Sequence, residues 1–458
     1  MSRRGEIVRG YRLKTFSQTN ESTERYVNPK DIILPPGYRA EVYAQGLDCP
    51  IGIVFSDDGD LYVAESGLIS GNPRVLVQHN NQFDVVADNF YLTIYGINYH
   101  NGSIFVSQKG IITELKPDGT KNDILSGLPS NGDHGNSRVV FGTDGKMYFG
   151  QGTVTNSGVV GLDNTWCKRY PYLNDYPGSY IMLNGINFRT ENIFVDPSVK
   201  EEVYTGAYSP FGIPNLPFET RKGITKASGS ILRANPDGSN LELVAWGLRN
   251  PAYLRYDLSG RLYAANHGFE IRGSRPIANS PDEFQVIIPG AWYGWPDFTG
   301  GEPVTLSRFK PEGKPQPEFL LSNHPAVPPR PFAIFPQASN IMGFDFNNNS
   351  DFGEVGDVYI SEFGSLGPRI SSDLVPYVGI GHRISKIDIA SGGVTTFAIN
   401  RSGFPTSVTE EGGFGWPTDV VFGPDHAMYI VDFGSNPSDA PFNFLPSTGI
   451  IWKITRIH

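Results

Sequence analysis

One pattern recurs six times along the chain: an apolar strand runs into a tight polar turn and returns as a second apolar strand that ends near a glycine. The copies begin at residues 51 (IGIVFSDDGDLYVAESG), 92 (LTIYGINYHNGSIFVSQKG), 137 (SRVVFGTDGKMYFGQG), 252 (AYLRYDLSGRLYAANHG), 341 and 418 (TDVVFGPDHAMYIVDFG). β-Branched and aromatic residues flank Asp-Gly, Asn-Gly, Ser-Gly or a looser substitute, the signature of a β-hairpin. Further strands are legible between the copies, at residues 73–77, 111–115, 230–233 and 384–389. Repetition at this scale predicts blades arranged around an axis, so the expected fold is all-β, a six-bladed β-propeller with long inter-blade loops. Residues 449–457 (GIIWKITRI) read as a late strand of the sixth blade, and residues 38–43 are suited to complete it, which would leave no open edge.

The repeat covers nearly all of the 458 residues, so the chain reads as one domain, 35–458, behind a polar N-terminal arm, 1–34. PPGY at residues 35–38 marks the entry to the globule. No long apolar run occurs, and no membrane span is expected. A net charge of −10 and the lack of a basic stripe with interleaved aromatics argue against nucleic acid as a partner. Cys49 and Cys167 lack metal-type spacing and read as two unpaired, buried or semi-buried thiols, with a disulfide between them as the alternative. The N-terminus opens with arginines but reaches no apolar core segment, so it does not read as a secretory signal.

Blades of ordinary length, about 40 to 45 residues, leave a large surplus for loops. The surplus falls at residues 153–227, rich in Tyr, Asn, Pro and Phe, and at residues 297–338, rich in Pro. Such loops are expected to shape a binding mouth or, alternatively, an oligomer contact. Residues before the first strand and after the second strand of a hairpin lie at the same end, so two rings are expected at one mouth. The first contains Asp133, His134, Arg249, Asn250, Asn340 and Trp416; the second contains Glu65, Lys109, Gln151, His267, Glu362 and Asp432. Convergent polar groups of this kind mark a candidate site.

Three segments carry a resemblance: DHGNSRVVFGTDGKMYFGQG (133–152), GLRNPAYLRYDLSGRLYAANHG (247–268) and PDEFQVIIPGAWYGWP (281–296). With support from PPGYRAEVYAQGL and from residues 342–365 and 415–435, the chain resembles the soluble quinoprotein glucose/sorbosone dehydrogenase family, most closely its sorbosone-dehydrogenase-like branch. The resemblance implies oxidation of a sugar, an aldose to its lactone or an aldehyde sugar to its acid, with pyrroloquinoline quinone (PQQ) and Ca2+ as cofactors and an external electron acceptor. It implies a periplasmic or extracellular setting. It places the catalytic base at His134, with Asp133 orienting the ring or lying against substrate, and gives Arg249 and Asn250 to the quinone. An imidazole suits the base role because its ordinary pKa lies near neutrality, and a guanidinium suits a cofactor with three carboxylates and an ortho-quinone. Gly268 and Phe269 fall where the family offers backbone carbonyls to calcium. Asp282 and Glu283 match an acidic pair and read as a hydrogen-bonded brace.

The chain also departs from the pattern. Glucose-oxidising members grip the quinone carboxylates with a lysine before a fifth-blade outer strand and two arginines after it. Here residues 376–387 (PYVGIGHRISKI) take the lysine's place, Arg401 is the counterpart of the arginine pair, and His382 and Arg383 are candidate substitutes. Two alternatives follow. Glu65, Glu362 and Asp432 are candidate ligands of a hard cation, which would make the protein a metal-dependent propeller lactonase. The other alternative is a non-catalytic propeller that binds a sugar or a protein. The sequence contains no GxSxG elbow, phosphate-binding loop or HExxH pair.

Overall fold

The computed structural model describes residues 7–8, 11–12, 25–80, 82–196, 198–365, 379–436 and 443–457. Most of the N-terminal arm before Arg25, and Pro376 to Val378 of the stretch that replaces the family lysine, lie outside the described residues. The described chain is nearly all β, with one α-helix of a single turn at Thr406–Thr409. No helix among the described residues is long and apolar enough to cross a membrane.

All six hairpins form, and each seeds an antiparallel sheet whose strands follow in chain order, except that two sheets end on a strand from the N-terminal segment. The chain divides into two compact units, Met1–Ile94 with Ser339–Gly367 and Pro376–His458, and Tyr95–Ala338 with Pro368–Val375. In the first unit, one sheet runs Pro50–Phe55, Leu61–Glu65, Arg74–His79 and Gln82–Ala87. A second begins at Ile341–Phe346 and Val358–Glu362, and a third at Pro417–Phe422 and Met428–Asp432. The third takes Gly449–Arg456 and then Tyr38–Leu47, so chain ends far apart in sequence complete one sheet as the sequence suggested. Ile32–Ile33, expected in the arm, instead pairs with Val394–Asn400 as a fifth strand.

The turns explain the repeat. In four copies the first turn residue and the one four positions on close the hairpin, as in Ser56 to Asp60, with a residue at positive φ just before the second. That residue is Gly59, Gly145 or Gly260 at φ 88°, 72° or 82°, and His426 at φ 62° in the sixth copy, where the looser turn was expected. This is the three-residue type I turn with a left-handed exit. The second strand of each hairpin is packed on both faces: Leu61–Glu65 is buried except for one partly buried position, and Met147–Gln151, Val358–Glu362 and Met428–Asp432 are buried throughout. Fourth strands such as Gln82–Ala87 lie largely open. Trp452, fully buried beside Ile430, Ile450 and Phe414, anchors the sheet completed by the two chain ends. Trp452→Ala is expected to cost about 3–5 kcal/mol from lost burial and the cavity left behind, checked by urea unfolding.

In the second unit the sheets begin at Ile94–His100, Val140–Phe141 and Asn250–Tyr256. The two long loops emerge from the latter two sheets, and they are folded against each other. Ile181–Leu183 of the first pairs with Thr220–Arg221 and with Leu321–Asn323 of the second, over a core that includes Tyr208, Trp292, Trp295 and Phe309. Cys49 and Cys167 are free and buried, and burial pushes both thiols well above the usual range, Cys167 to about 11. Residues 345–356 (DFNNNSDFGEVG) read as a long hairpin turn; Asp345 and Phe346 instead end the strand Ile341–Phe346, and residues 347–356 make the connection to Val358–Glu362.

Candidate active site

His134, Arg249 and Asn250 meet where the third and fourth hairpins leave their sheets. The exit Gly152–Thr153 joins them. Thr153 N–H donates to the Arg249 carbonyl at 2.8 Å, and Gly152 N–H donates to the Gly135 carbonyl at 2.9 Å. Gly152 has no room for a side chain: a Cβ there would lie 2.4 Å from the His134 Cβ and 2.7 Å from the Asn250 Oδ1. Glycine is therefore what lets the histidine and the asparagine close on the same strand exit.

The imidazole is held in one tautomer. Nδ1 lies 2.9 Å from the Thr153 carbonyl and 3.1 Å from its Oγ1. That hydroxyl spends its proton on the Thr155 carbonyl at 2.6 Å, so both oxygens only accept and Nδ1 carries the hydrogen. Nε2 is left as the basic nitrogen. Burial, reinforced by the guanidiniums of Arg249 and Arg272, holds the His134 pKa well below its ordinary value, which Glu270 offsets only in part. His134 is a neutral base at neutral pH.

Thr153 is the residue that orients the ring. The Asp133 carboxylate instead accepts from Trp166 Nε1 at 2.7 Å, Asn164 Nδ2 at 3.0 Å and Arg272 Nη2 at 2.8 Å. Arg272 is a hub. Besides Asp133 it donates to Asp163 at 2.6 Å and, through Nε, to Glu270. Arg249, 4% exposed, donates from Nε to the Asn156 carbonyl at 3.1 Å, and from Nη2 to Asn156 Oδ1 at 2.9 Å and Glu270 Oε2 at 3.2 Å. Nη1 has no hydrogen-bond partner among the described residues. Asn250 Nδ2 lies 3.0 Å from His267 Nδ1. Burial opposes ionisation of Glu270, but Arg272 and Arg249 outweigh it and hold its pKa at about 2.

Asp175, fully buried, braces the loop segment that carries Thr153, accepting from Val154 N–H at 2.6 Å and from Thr155 N–H at 3.2 Å. Burial dominates these bonds and raises its pKa to about 7. An aspartate unfolded near pKa 3.9 and folded near 7 is protonated in the native state between those values, so its contribution favours folding at low pH and is lost as pH rises from about 4 to 7. Urea midpoints of Asp175→Asn are expected to lack this part of the decline seen in the parent between about pH 4 and 7.

The remaining expected residues have partners of their own. The Phe269 carbonyl, implied as a calcium ligand, accepts from Gln337 Nε2 at 2.7 Å, which puts an amide donor where a cation would approach. Gly268 N–H donates to Asp282 Oδ1 at 2.8 Å, and Glu283 accepts from Asn266 and Gln285, each at 3.0 Å, as a brace does. In the other unit, Arg383 pairs with Glu362 at 3.2 Å and Arg401 donates to the Lys30 carbonyl at 2.9 Å. His382 is buried against Trp416, with burial lowering its pKa to about 4. The three carboxylates of the hydrolase reading are each engaged: Glu65 by Arg74, Glu362 by Arg383 and Ser385, and Asp432 by Arg25 and the Gly415 and Trp416 amides. No group of three His, Cys, Asp or Glu able to hold a metal ion occurs among the described residues.

Glu270, Arg272, Asp163, Asn156 and Thr153 are site residues that the sequence did not single out. The adjacent charges in FEIRGSR, residues 269–275, are the only local signal for the first two.

No family model matches the chain. In sequence it is 27% identical over 180 residues to quinoprotein glucose dehydrogenase B of Acinetobacter calcoaceticus, a match covering 39% of this chain and 29% of that protein. In structure it is similar to the PQQ domain of a pyranose dehydrogenase from Coprinopsis cinerea in its holo form, with a TM-score of 0.58, 14% identity, and 94% of this chain and 98% of that one covered. It is also similar to the PQQ-bound aldose sugar dehydrogenase of Streptomyces coelicolor, with a TM-score of 0.51, 15% identity and coverage of 92% and 100%. The chain therefore has the all-β propeller fold of these dehydrogenases. In sequence it resembles the soluble quinoprotein glucose dehydrogenases.

Proposed function

We propose that the chain is a PQQ-dependent sugar dehydrogenase, built as a closed six-bladed propeller with its site at the exits of the third and fourth hairpins. The observation that carries this reading is a neutral histidine, with its basic nitrogen at Nε2, beside a buried arginine whose Nη1 has no hydrogen-bond partner among the described residues. These are the groups that a sugar hydroxyl and the oxygens of an ortho-quinone require, so the residues fit the cofactor at its quinone end. Arg249 and Asn250 would hold that end. Arg401 and Arg383 would add to the grip on the carboxylates only by leaving their present partners.

PQQ, when bound, supplies the acceptor for two electrons. His134 Nε2 takes the proton of the hydroxyl on the carbon that loses hydride, while Thr153 keeps Nδ1–H fixed and Arg272 with Trp166 keeps Asp133 away from the ring. A base so placed is worth about 10²- to 10⁴-fold. An aldose leaves as its lactone; an aldehyde sugar reacts as its hydrate, which supplies the hydroxyl, and leaves as its acid; the reduced site then needs an external electron acceptor. Calcium enters the proposal through Gly268 and Phe269, and requires Gln337 to release the Phe269 carbonyl. The test is dye reduction by the purified protein with PQQ, calcium and a panel of aldoses; absence of sugar-dependent reduction would contradict the reading.

A further inference from the structure

Glu270 sits between the two buried guanidiniums. Its carboxylate meets Nη2 of Arg249 at 3.2 Å and Nε of Arg272. Arg272 does not depend on it, since Asp133 and Asp163 remain at 2.8 and 2.6 Å. Arg249 does: its other partners are the carbonyl and side-chain oxygens of Asn156, which carry no charge. The cluster thus sets three carboxylates against two arginines, and among the described residues Glu270 is the anion hydrogen-bonded to the arginine proposed to face the cofactor, with Asp133 and Asp282 adding negative charge from farther off. The backbone on either side fixes the placement. Asn156 Oδ1 accepts from Glu270 N–H at 3.0 Å and its Nδ2 donates to the carbonyls of Glu270 and Arg272 at 2.9 and 3.1 Å, so one asparagine aligns the segment with Arg249.

An incoming carboxylate or quinone oxygen must share Arg249 with this resident anion, and a like charge at that distance opposes it. We infer that Glu270 is a built-in competitor for the cofactor: it neutralises Arg249 and so weakens the site's hold on anionic quinone, setting cofactor affinity from within the chain. The inference rests on the quinone reading above and adds to it a residue that no feature of the repeat or the resemblance assigned.

The test is calorimetric titration of the full chain with PQQ, compared across Glu270→Gln, Glu270→Asp and the double variant Arg249→Met/Glu270→Gln. Glu270→Gln keeps the shape, removes the charge, and is expected to tighten PQQ binding at least tenfold, about 1.4 kcal/mol. Glu270→Asp keeps the charge and is expected to stay within about threefold of the parent by the same scale. The double variant is expected to lose the gain, since the two residues act on one another. Acquisition of binding by Glu270→Gln where the parent shows none also supports the inference. If the parent binds and a folded Glu270→Gln, judged by an unchanged thermal midpoint, binds no tighter, the inference fails while the cofactor reading stands. Binding by neither protein overturns both.

Discussion

Replacing His134 with alanine is expected to lower kcat by about 10²- to 10⁴-fold while changing PQQ affinity by less than about threefold. The split follows from the geometry. Among the described residues the ring is hydrogen-bonded through Nδ1 to Thr153, which in the proposed reaction leaves Nε2 for the reacting hydroxyl, whereas Arg249 and Asn250 hold their places through Asn156, Asn266 and His267. Because burial and two guanidiniums hold the histidine's pKa below its ordinary value, the basic form persists in mild acid. The kcat/KM profile of the parent should be level through pH 6.5 and fall only below it. Stopped-flow reduction of the loaded enzyme, with calorimetry for the cofactor, measures both parts. Full activity in His134→Ala would remove the base from the mechanism.

Gly152→Ala should be nearly as damaging although it removes no functional group. The added methyl meets the His134 Cβ and the Asn250 Oδ1, and the Gly135 carbonyl lies 3.3 Å away. The Asn250 amide can turn aside, but the His134 Cβ is the root of its side chain and the Gly135 carbonyl is backbone, so the strand exit must shift, and the histidine moves with it. A displacement of about 1 Å in a catalytic group costs on the order of 10²-fold, and overpacking in a buried position about 1–3 kcal/mol. The expected signature is a drop in kcat of about that size, a lower thermal midpoint, and rotation of the His134 resonances relative to the parent in NMR spectra. A variant with parent-like kcat would mean that the histidine is not seated by this contact.

The blades were legible because each is local. Hairpins such as Gly142 to Lys146 combine strand periodicity with a turn whose left-handed residue can be read from three or four letters, and even His426 at that position did not hide the sixth copy. The pairing of Gly449–Arg456 with Tyr38–Leu47 was legible as well, because an unpaired strand was left at each end of the repeat. The site was legible only where residues lie at hairpin ends, as His134, Arg249 and Asn250 do. The charges that tune it come from elsewhere: Arg272 reaches Asp133 across 139 positions, and Asn156 reaches Arg249 across 93. No periodicity encodes such contacts, since they arise when the long loop after Gly152 folds back on the segment after Phe269. The same limit explains Asp133, whose sequence position beside His134 suggested an orienting role that Thr153 fills. Glu65, Glu362 and Asp432 are placed alike in their hairpins, but each is engaged by groups of its own unit.

Most direct for the central claim is a titration of the purified chain with PQQ, with and without calcium, following the quinone absorbance and then dye reduction on adding aldoses. The account predicts saturable binding and reduction that depends on sugar and is lost in His134→Ala. Absence of binding at micromolar quinone, or reduction that His134→Ala leaves intact, would contradict it.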